Sequence, residues 1–527
     1  HLLIGLGSGF RIIGSCFSPD TLRLREFAMR NRLPHKWFDL EQDERVEQLL
    51  RSLNVAPEDT PVVIWHGEKV LRNPTNAELA RVVGLPVPAP VADAAKDVYN
   101  LVVVGAGLSG LWTAVRAKQR RPDLDVVLLE GGRIANAASG RNGGFVAASI
   151  THGHLNGIER WPDEFSTLNA MGVANLRGIE QTIDEFGIDC GYHRSGELQV
   201  VTEPYQLEHA HDHVRTAQEY GVDVTFWDTE RTQAEVHSPT YLGAVHDPEV
   251  GIVDPARLAW GLARAAEQLG VRIHENSGVE ALQPSGAGMT VRTFGGRVET
   301  LKVALTTAAH APLLKRLNLF VVPVFDHVVM TAPLPADIRA AIGWHQRQGI
   351  GDSGNQFHYY RLTDDDRILF GGYDAVYAAG ERPGSHLERD DELTARLVQH
   401  LHDTFPQVAE VPIEYAWAGA IDTCSRFSAF WGSAYSGRVG YVIGFTGLGV
   451  GASRFGADTL LDGLFKENTD RTALKMVRSK PLPFPPEPAR QLVIDMTRRS
   501  LAKADERSGE RDLWLRTLDR LGLGFDS

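Results

Sequence analysis

The chain has 527 residues, enough for about three or four domains' worth of polypeptide. Its 43% hydrophobic and 23% charged residues are the balance of a soluble globular protein, and a formal net charge of −13 disfavours a nucleic-acid or anionic-membrane partner. No apolar run approaches the ~18 residues of a membrane-spanning helix. The cysteines Cys16, Cys190 and Cys424 are too few and too dispersed for a disulfide framework or a metal site. The opening residues, His1-Leu2-Leu3-Ile4-Gly5, carry no basic region or cleavage signal, so a cytoplasmic location is expected.

In chain order, residues 10–84 read as a small α/β module. Strands are expected at 10–14 and 35–40, helices at 20–31 and 43–53, a hairpin at 61–65 and 69–71 across His66-Gly67, and a closing helix at 76–83. That order resembles a glutaredoxin- or thioredoxin-like fold. The resemblance places Ser18-Pro19-Asp20-Thr21 where such proteins carry their redox cysteines, so both cysteines are absent, and Thr60-Pro61 where they carry a cis-proline. Residues 85–96, rich in Pro and Ala, read as a linker.

The next stretch is the most informative. An apolar run ending at Val104 reads as a buried parallel strand, followed by the turn Gly105-Ala106-Gly107-Leu108-Ser109-Gly110 into a helix. A second apolar run, 125–129, ends on Glu130. These are the parts of a dinucleotide fingerprint. The first glycine permits the turn, the second admits the pyrophosphate, and the third lets helix and strand pack closely. The helix N-terminus offers N–H groups to the phosphates, and Glu130 takes the ribose hydroxyls. Ala138-Ser139-Gly140-Arg141-Asn142-Gly143-Gly144 follows closely. An NAD site does not explain this second glycine-rich segment; a flavin site does.

These segments carry a resemblance, from about residue 97 onward, to the FAD-dependent D-amino-acid-oxidase-like superfamily, which includes glycine, sarcosine and γ-glutamylputrescine oxidases. The resemblance implies FAD as cofactor and a Rossmann-type FAD-binding domain beside an antiparallel-sheet substrate domain. With the N-terminal module, the expected fold is α/β plus α+β. The implied FAD-binding domain is discontinuous, at 97–190, 251–320 and 415–470, and the substrate domain takes 191–250 and 321–414. Residues 471–527 form a Pro-rich strap and a helix to about 521. Cofactor-binding residues implied by the match are Gly105, Gly107, Leu108, Ser109, Gly110, Glu130, Arg133, Ser139, Gly140, Arg141, Asn142, Gly143 and Gly144. Val279 is implied to meet the adenine through its backbone. The late loop Gly447-Leu448-Gly449-Val450-Gly451 is implied to close on the flavin ring, where a helix dipole suits the charge of reduced flavin.

Between these motifs the periodicity predicts helices at 161–186, 205–220, 255–269 and 393–405. It predicts a strand-turn-strand at 191–202, strands at 271–273 and 303–307, and half-buried strands at 321–331, 356–362 and 367–373, the last three roofing the flavin. Strand 413–420 returns to the flavin domain. Amine oxidation by flavin needs position, a dry pocket and a base. Candidate pocket residues are Thr151, His152, His327, His358, Tyr360 and Arg361. Strand alternation puts His358 and Tyr360 on one face and Tyr359 and Arg361 on the other, and the first pair is preferred for the flavin side. Cys424 is a candidate for a covalent flavin link.

The expected activity is oxidation of the C–N bond of a small amine or amino acid, with O2 as acceptor. A disulfide reductase fails on its residues: there is no CxxC and no second nucleotide fingerprint. The rival from another class is a flavin-binding scaffold whose N-terminal module recruits a partner.

Overall fold

Buried strands organise the chain from its first described residues. In a computed structural model, the described residues are 98–310, 312–374, 376–377, 387, 390–520 and 523; before residue 98 they are 10–15, 18–30, 35–41, 46, 49–51, 53, 55–56, 59–65, 69–74, 78–79 and 82. The N-terminal strands β1 (Phe10–Gly14), β2 (His35–Asp39), β3 (Val62–Trp65) and β4 (Lys69–Arg72) form one sheet in the order β2-β1-β3-β4. β1 and β2 are parallel; β3 runs antiparallel to both β1 and β4. Alternation sends Ile12 and Val63 to one face, beneath Leu24 and Ala28 of α1 (Pro19–Arg30), and Ile13, Val62 and Ile64 to the other. The Thr60–Pro61 peptide is cis. Cys16 and the linker 85–96 lie outside the described residues, as do most of the helices expected at 43–53 and 76–83.

The second sheet is built around β5 (Tyr99–Val104), buried on both faces as a central parallel strand must be. β5 pairs in parallel with β6 (Val126–Leu129) and with β15 (Gly296–Leu305). β12 (Arg272–His274) extends it past β6, and β22 (Val439–Ile443) past β15. β21 (Phe430–Ala434) pairs with β22. The N-terminal half of β15 instead joins β14 (Gly288–Thr293) and β13 (Val279–Ser285) in an antiparallel meander. Only the apolar end of β15 was expected as strand, because its first half alternates polar with buried residues. α2 (Leu108–Arg120) crosses from β5 to β6.

The third sheet is the roof. Its order is β20 (Ile413–Thr423), β16 (Val322–Thr331), β19 (Ile368–Gly372), β18 (His358–Leu362), β17 (Gly349–Asp352), β8 (Glu197–Val201), β10 (Gly243–Asp247) and β9 (Thr225–Trp227). β20 pairs with β16 along nearly its whole length, so it is the roof's edge strand. One roof face packs an aromatic cluster of Tyr241, Trp344, Tyr360, Phe370 and Phe405. The other is covered by α3 (His154–Arg160), through Phe165 by the start of α4 (Phe165–Glu185), by α5 (Gln206–Glu219), and by β7 (Phe145–Ala147) with its partner β11 (Val250–Ile252). α6 (Pro255–Gln268), capped by Asp254 accepting from the Ala256 and Arg257 N–H groups at 3.0 Å, packs on α2. α7 (Asp391–Thr404) lies over β16 and β19, and α8 (Gly449–Phe465) lies beside α2.

Two expectations change. In 191–202 only Glu197–Val201 is a strand; positive φ at Gly191 and Gly196 bends the first part away, leaving His193 in a single bridge with Ile252. The single helix expected to about 521 is two, α9 (Ala489–Glu506) and α10 (Leu513–Arg520), because Ser508 and Gly509 both take positive φ.

Candidate active site

Gly105 has φ +101°, and a Cβ there would lie 2.8 Å from the Thr306 carbonyl oxygen. A Cβ on Gly110 would lie 1.8 Å from the Gly105 carbonyl oxygen. The first and third glycines are therefore obligatory on steric grounds. Beyond Gly107 sits only the Ser139 hydroxyl, which accepts the Leu108 N–H at 2.9 Å. The Glu130 carboxylate accepts the Ala106 and Gly132 N–H groups at 2.7 and 2.8 Å, holding the two loops together at the end of β6. Val279 opens β13 just after Ser277, whose N–H donates to the Glu130 carbonyl at 2.6 Å. Arg133 is exposed beside this loop.

The Ala138–Gly140 turn crosses the same end of the sheet. Asn142 donates to the Ala138 and Ser139 carbonyls at 3.0 Å and accepts the Gly144 N–H at 2.9 Å. Arg141 donates to the Ala418 carbonyl at 3.1 Å, and Trp417 donates to the Arg141 carbonyl at 2.9 Å. These polar residues shape the loop and tie it to the roof. Gly140 and Gly144 have no room for a Cβ, which would lie 2.2 Å from the Ala135 and 2.1 Å from the Val253 carbonyl oxygen. Gly143 abuts the Tyr359 ring.

The late glycine loop returns to the same place. Arg116 pairs with Asp458 at 3.0 Å and Arg120 with Asp462 at 2.6 Å, both across 342 residues. Equal offsets one helical turn apart mean that α2 and α8 lie side by side and parallel. Their N-termini face the same end. Neither N-cap residue supplies a side-chain cap; Ser139 takes the Leu108 N–H alone, and the N–H groups of Ser109, Gly110, Gly449, Val450 and Gly451 have no partner among the described residues. Gly447, φ +94°, has open space where a side chain would be. Gly451 fits against the Ala147 carbonyl, where a Cβ would come within 2.2 Å.

The roof strands present the face opposite to the expected one. Tyr359 and Arg361 point at the glycine segment: Arg361 Nε donates to the Gly143 carbonyl at 2.5 Å, and the Tyr359 ring meets Phe145 edge-on at 5.9 Å. The Tyr359 hydroxyl donates to the half-buried Asp326 carboxylate. Burial pushes the Asp326 carboxyl up to about 6 although this hydrogen bond opposes it, and burial lowers the Arg361 guanidinium. His358 and Tyr360 point the other way. His358 Nδ1 lies 2.6 Å from Asp352 and Nε2 2.9 Å from His400, while the Tyr360 hydroxyl meets that of Tyr241 at 2.7 Å inside the aromatic cluster. His327 shares that side of the roof and is buried. His152, φ +63°, bridges to the Thr446 carbonyl at 2.9 Å, beside the late loop; burial holds its pKa below the ordinary value. Thr151 is turned into its own loop, donating to the Gly153 carbonyl at 2.9 Å. The Cys424 thiol is buried, donates to the Ser428 and Gly444 carbonyls, and is pushed up by burial, which makes it a poor nucleophile.

Residues 100–462 match the family described as DAO, FAD dependent oxidoreductase.

The chain belongs to the DAO family of FAD-dependent oxidoreductases.

It is 30% identical over 381 residues to γ-glutamylputrescine oxidoreductase of Escherichia coli strain K12, covering 71% of this chain and 84% of that protein. It is 24% identical over 340 residues to the sarcosine oxidase β subunit of an Arthrobacter species, covering 62% and 77%. Among solved structures it resembles glycine oxidase from Geobacillus kaustophilus, with TM-score 0.60, 20% identity and coverage of 72% of this chain and 99% of that one. The DAO-family match begins after the N-terminal module.

The residues of this DAO-family chain fit FAD. Two parallel helix N-termini leave N–H groups without partners among the described residues, as an anionic cofactor requires, Glu130 stands beside them at the end of β6, and glycines keep the cradle free of side chains. Two groups of residues escaped the sequence reading. Thr306 donates to the Val104 carbonyl at 2.8 Å and packs against Gly105 and Gly110; its signal is its place at the end of a buried strand. Tyr359 and Asp326 were legible only as strand residues.

Proposed function

We propose that the enzyme oxidises the C–N bond of a small amine or amino acid, giving an imine that hydrolyses to an aldehyde or keto product, with O2 as electron acceptor. When bound, FAD supplies the hydride acceptor. The observation that carries this reading is the convergence of α2, α8 and the Ala138–Gly144 segment beneath the Tyr359 face of the roof.

In this proposal the N–H groups of Ser109 and Gly110 hold the pyrophosphate, and those of Gly449 to Gly451 face the pyrimidine side of the ring. Val279 takes the adenine and Arg133 flanks the ribose. The roof excludes water and positions the substrate. A substrate ammonium must lose a proton before oxidation, and Asp326, through the Tyr359 hydroxyl, is the group placed to hold it. Arg361 acts through the Gly143 carbonyl as a positioning residue, and His152 orders the loop beside α8. His358 and Tyr360 support the roof from behind.

We further assign domain boundaries by sheet, which moves residues 413–423 to the substrate unit. The strand order β2-β1-β3-β4 supports a thioredoxin-like reading of the N-terminal module, which without redox cysteines would serve docking. The test is an oxygen-electrode screen of amines and amino acids, with mass spectrometry of the denatured holoprotein. Oxygen uptake and released, unattached FAD are expected. A holoprotein inert toward every amine would favour the scaffold reading.

A further inference from the structure

The inward face of the roof carries a second feature. Asp247 and Glu197 are directly opposite one another on β10 and β8, and Glu197 is aligned with Gly349 on β17. By register both carboxylates share the face that bears Tyr359. Like charges opposite one another on antiparallel strands destabilise a sheet, and enclosure makes the repulsion worse. Yet the Glu197 carboxylate has no hydrogen bond or ion pair with any described residue.

The nearby cations act on Asp247 and not on Glu197. Arg194 bonds Glu180 and Glu249, and it and His246 partly offset the Asp247 charge through space. His154 Nε2 lies 3.6 Å from Asp247, but burial lowers this imidazole to about 4, so it is neutral at pH 7. His213, 5.9 Å from the His154 ring, is lowered to about 4 in the same way. Asp223 adds a further negative charge near Asp247. Asp247 itself accepts the Glu249 N–H at 2.8 Å.

The strand beside Glu197 carries glycines on this face. A Cβ on Gly351 would stand 3.4 Å from Glu197 Oε1. Gly351 is also the register partner of Tyr359, and Gly349 lies against the Phe145 ring, immediately after the glycine segment. Gly351 thus separates the Glu197 carboxylate from Tyr359 on the same face of the sheet, while Gly349 is covered by Phe145 and Ile252.

We propose that Glu197 and Asp247 bind a second, distal cationic centre of the substrate, so that the preferred substrate is a diamine or an amine with a remote ammonium group. This rests on the amine-oxidising reading above and specifies its substrate class. A distal ammonium would donate to both carboxylates and relieve their repulsion. A plain monoamine would leave them facing each other.

The test compares 1,4-diaminobutane with 1-aminobutane, and then longer and shorter diamines with their monoamine counterparts. The holoenzyme is studied by steady-state kinetics and by anaerobic calorimetry. A charge-assisted pair of hydrogen bonds predicts a diamine preference in kcat/KM and affinity of about 10- to 100-fold. In Glu197→Gln and in Asp247→Asn the diamine-to-monoamine ratio should fall toward one, with flavin content and unfolding temperature confirming an intact fold. A wild-type ratio near one for every chain length overturns the proposal, as does a ratio that neither variant changes. Should no amine be oxidised, the amine-oxidising reading itself fails. Calorimetry then still decides the subsite: diamine binding lost in Glu197→Gln supports it, and no diamine binding overturns it.

Discussion

Gly110→Ala sets the third fingerprint glycine against its own helix. The added Cβ would stand 1.8 Å from the Gly105 carbonyl oxygen and 2.8 Å from Thr306 Oγ1. Both are fixed in the strand ends, so the first turn of α2 must withdraw by more than ~1 Å. Overpacking of this kind costs about 1–3 kcal/mol, and the better helix propensity of alanine returns about 1 kcal/mol. The fold should therefore lose at most about 2 kcal/mol. Cofactor binding should suffer more, because the Ser109 and Gly110 N–H groups move with the turn. Weakening two hydrogen bonds to a charged phosphate, each worth about 1.5–3 kcal/mol, raises the FAD dissociation constant by ~100-fold or more. Gly463→Ala in α8 is the matched control: nothing lies within 4 Å of its added Cβ, and it should stabilise the protein by about 0.5–1 kcal/mol. The assay is the FAD-to-protein ratio after gel filtration, with urea unfolding of the apoprotein. Full FAD retention by Gly110→Ala, or equal stability changes in both variants, would refute the steric argument.

Other substitutions probe other parts. Asp462 is fully buried and accepts from Arg120 at 2.6 Å, Arg471 at 2.7 Å and Thr469 at 2.7 Å, so Asp462→Ala should cost about 2–3 kcal/mol in urea unfolding. A loss below ~0.5 kcal/mol would show that the α2–α8 clamp is not held by this charge. Tyr359→Phe removes both the relaying hydroxyl and the hydrogen bond that lowers the Asp326 pKa, so kcat/KM should fall and the acid limb of the residual activity should move to higher pH; an unchanged rate with an unmoved limb would exclude Asp326 as the proton acceptor. Glu197 is pushed up to about 7 by burial and by Asp247. Its folded pKa is above its unfolded value near 4.5, so its ionisation destabilises the fold as pH rises. Apo Glu197→Gln should therefore be more stable than wild type above pH 7, with the difference gone by about pH 4.5. Equal stabilities throughout would mean that Glu197 is not enclosed.

What was legible in the sequence follows from how local each constraint is. Gly105 and Gly110 declare themselves because a strand-to-helix turn imposes its steric demand within six residues. The Gly449 helix declares itself for the same reason, although its alignment with α2 rests on Arg116, Arg120, Asp458 and Asp462 meeting in three dimensions. The face of β18 is different. Alternation separates His358 and Tyr360 from Tyr359 and Arg361, but the direction is set by non-local packing, with Tyr241, Trp344 and Phe405 claiming one face and Gly143 the other. Histidine chemistry favoured the wrong pair. Glu197 likewise looks ordinary in its strand until β17 brings Gly351 in front of it. The break in the tail had a readable signal in Gly509, outweighed by the helical charge pattern around it.

An amine-oxidising flavin site formed where α2, α8 and the glycine segment converge must bleach when substrate is added without oxygen. Anaerobic titration of the purified holoprotein with amines, following the visible absorbance of the oxidised flavin, reads this out. Stoichiometric bleaching by an amine, reversed on admitting oxygen, is predicted. A flavin that stays oxidised through a broad panel of monoamines, diamines and amino acids would show that the site does not oxidise amines.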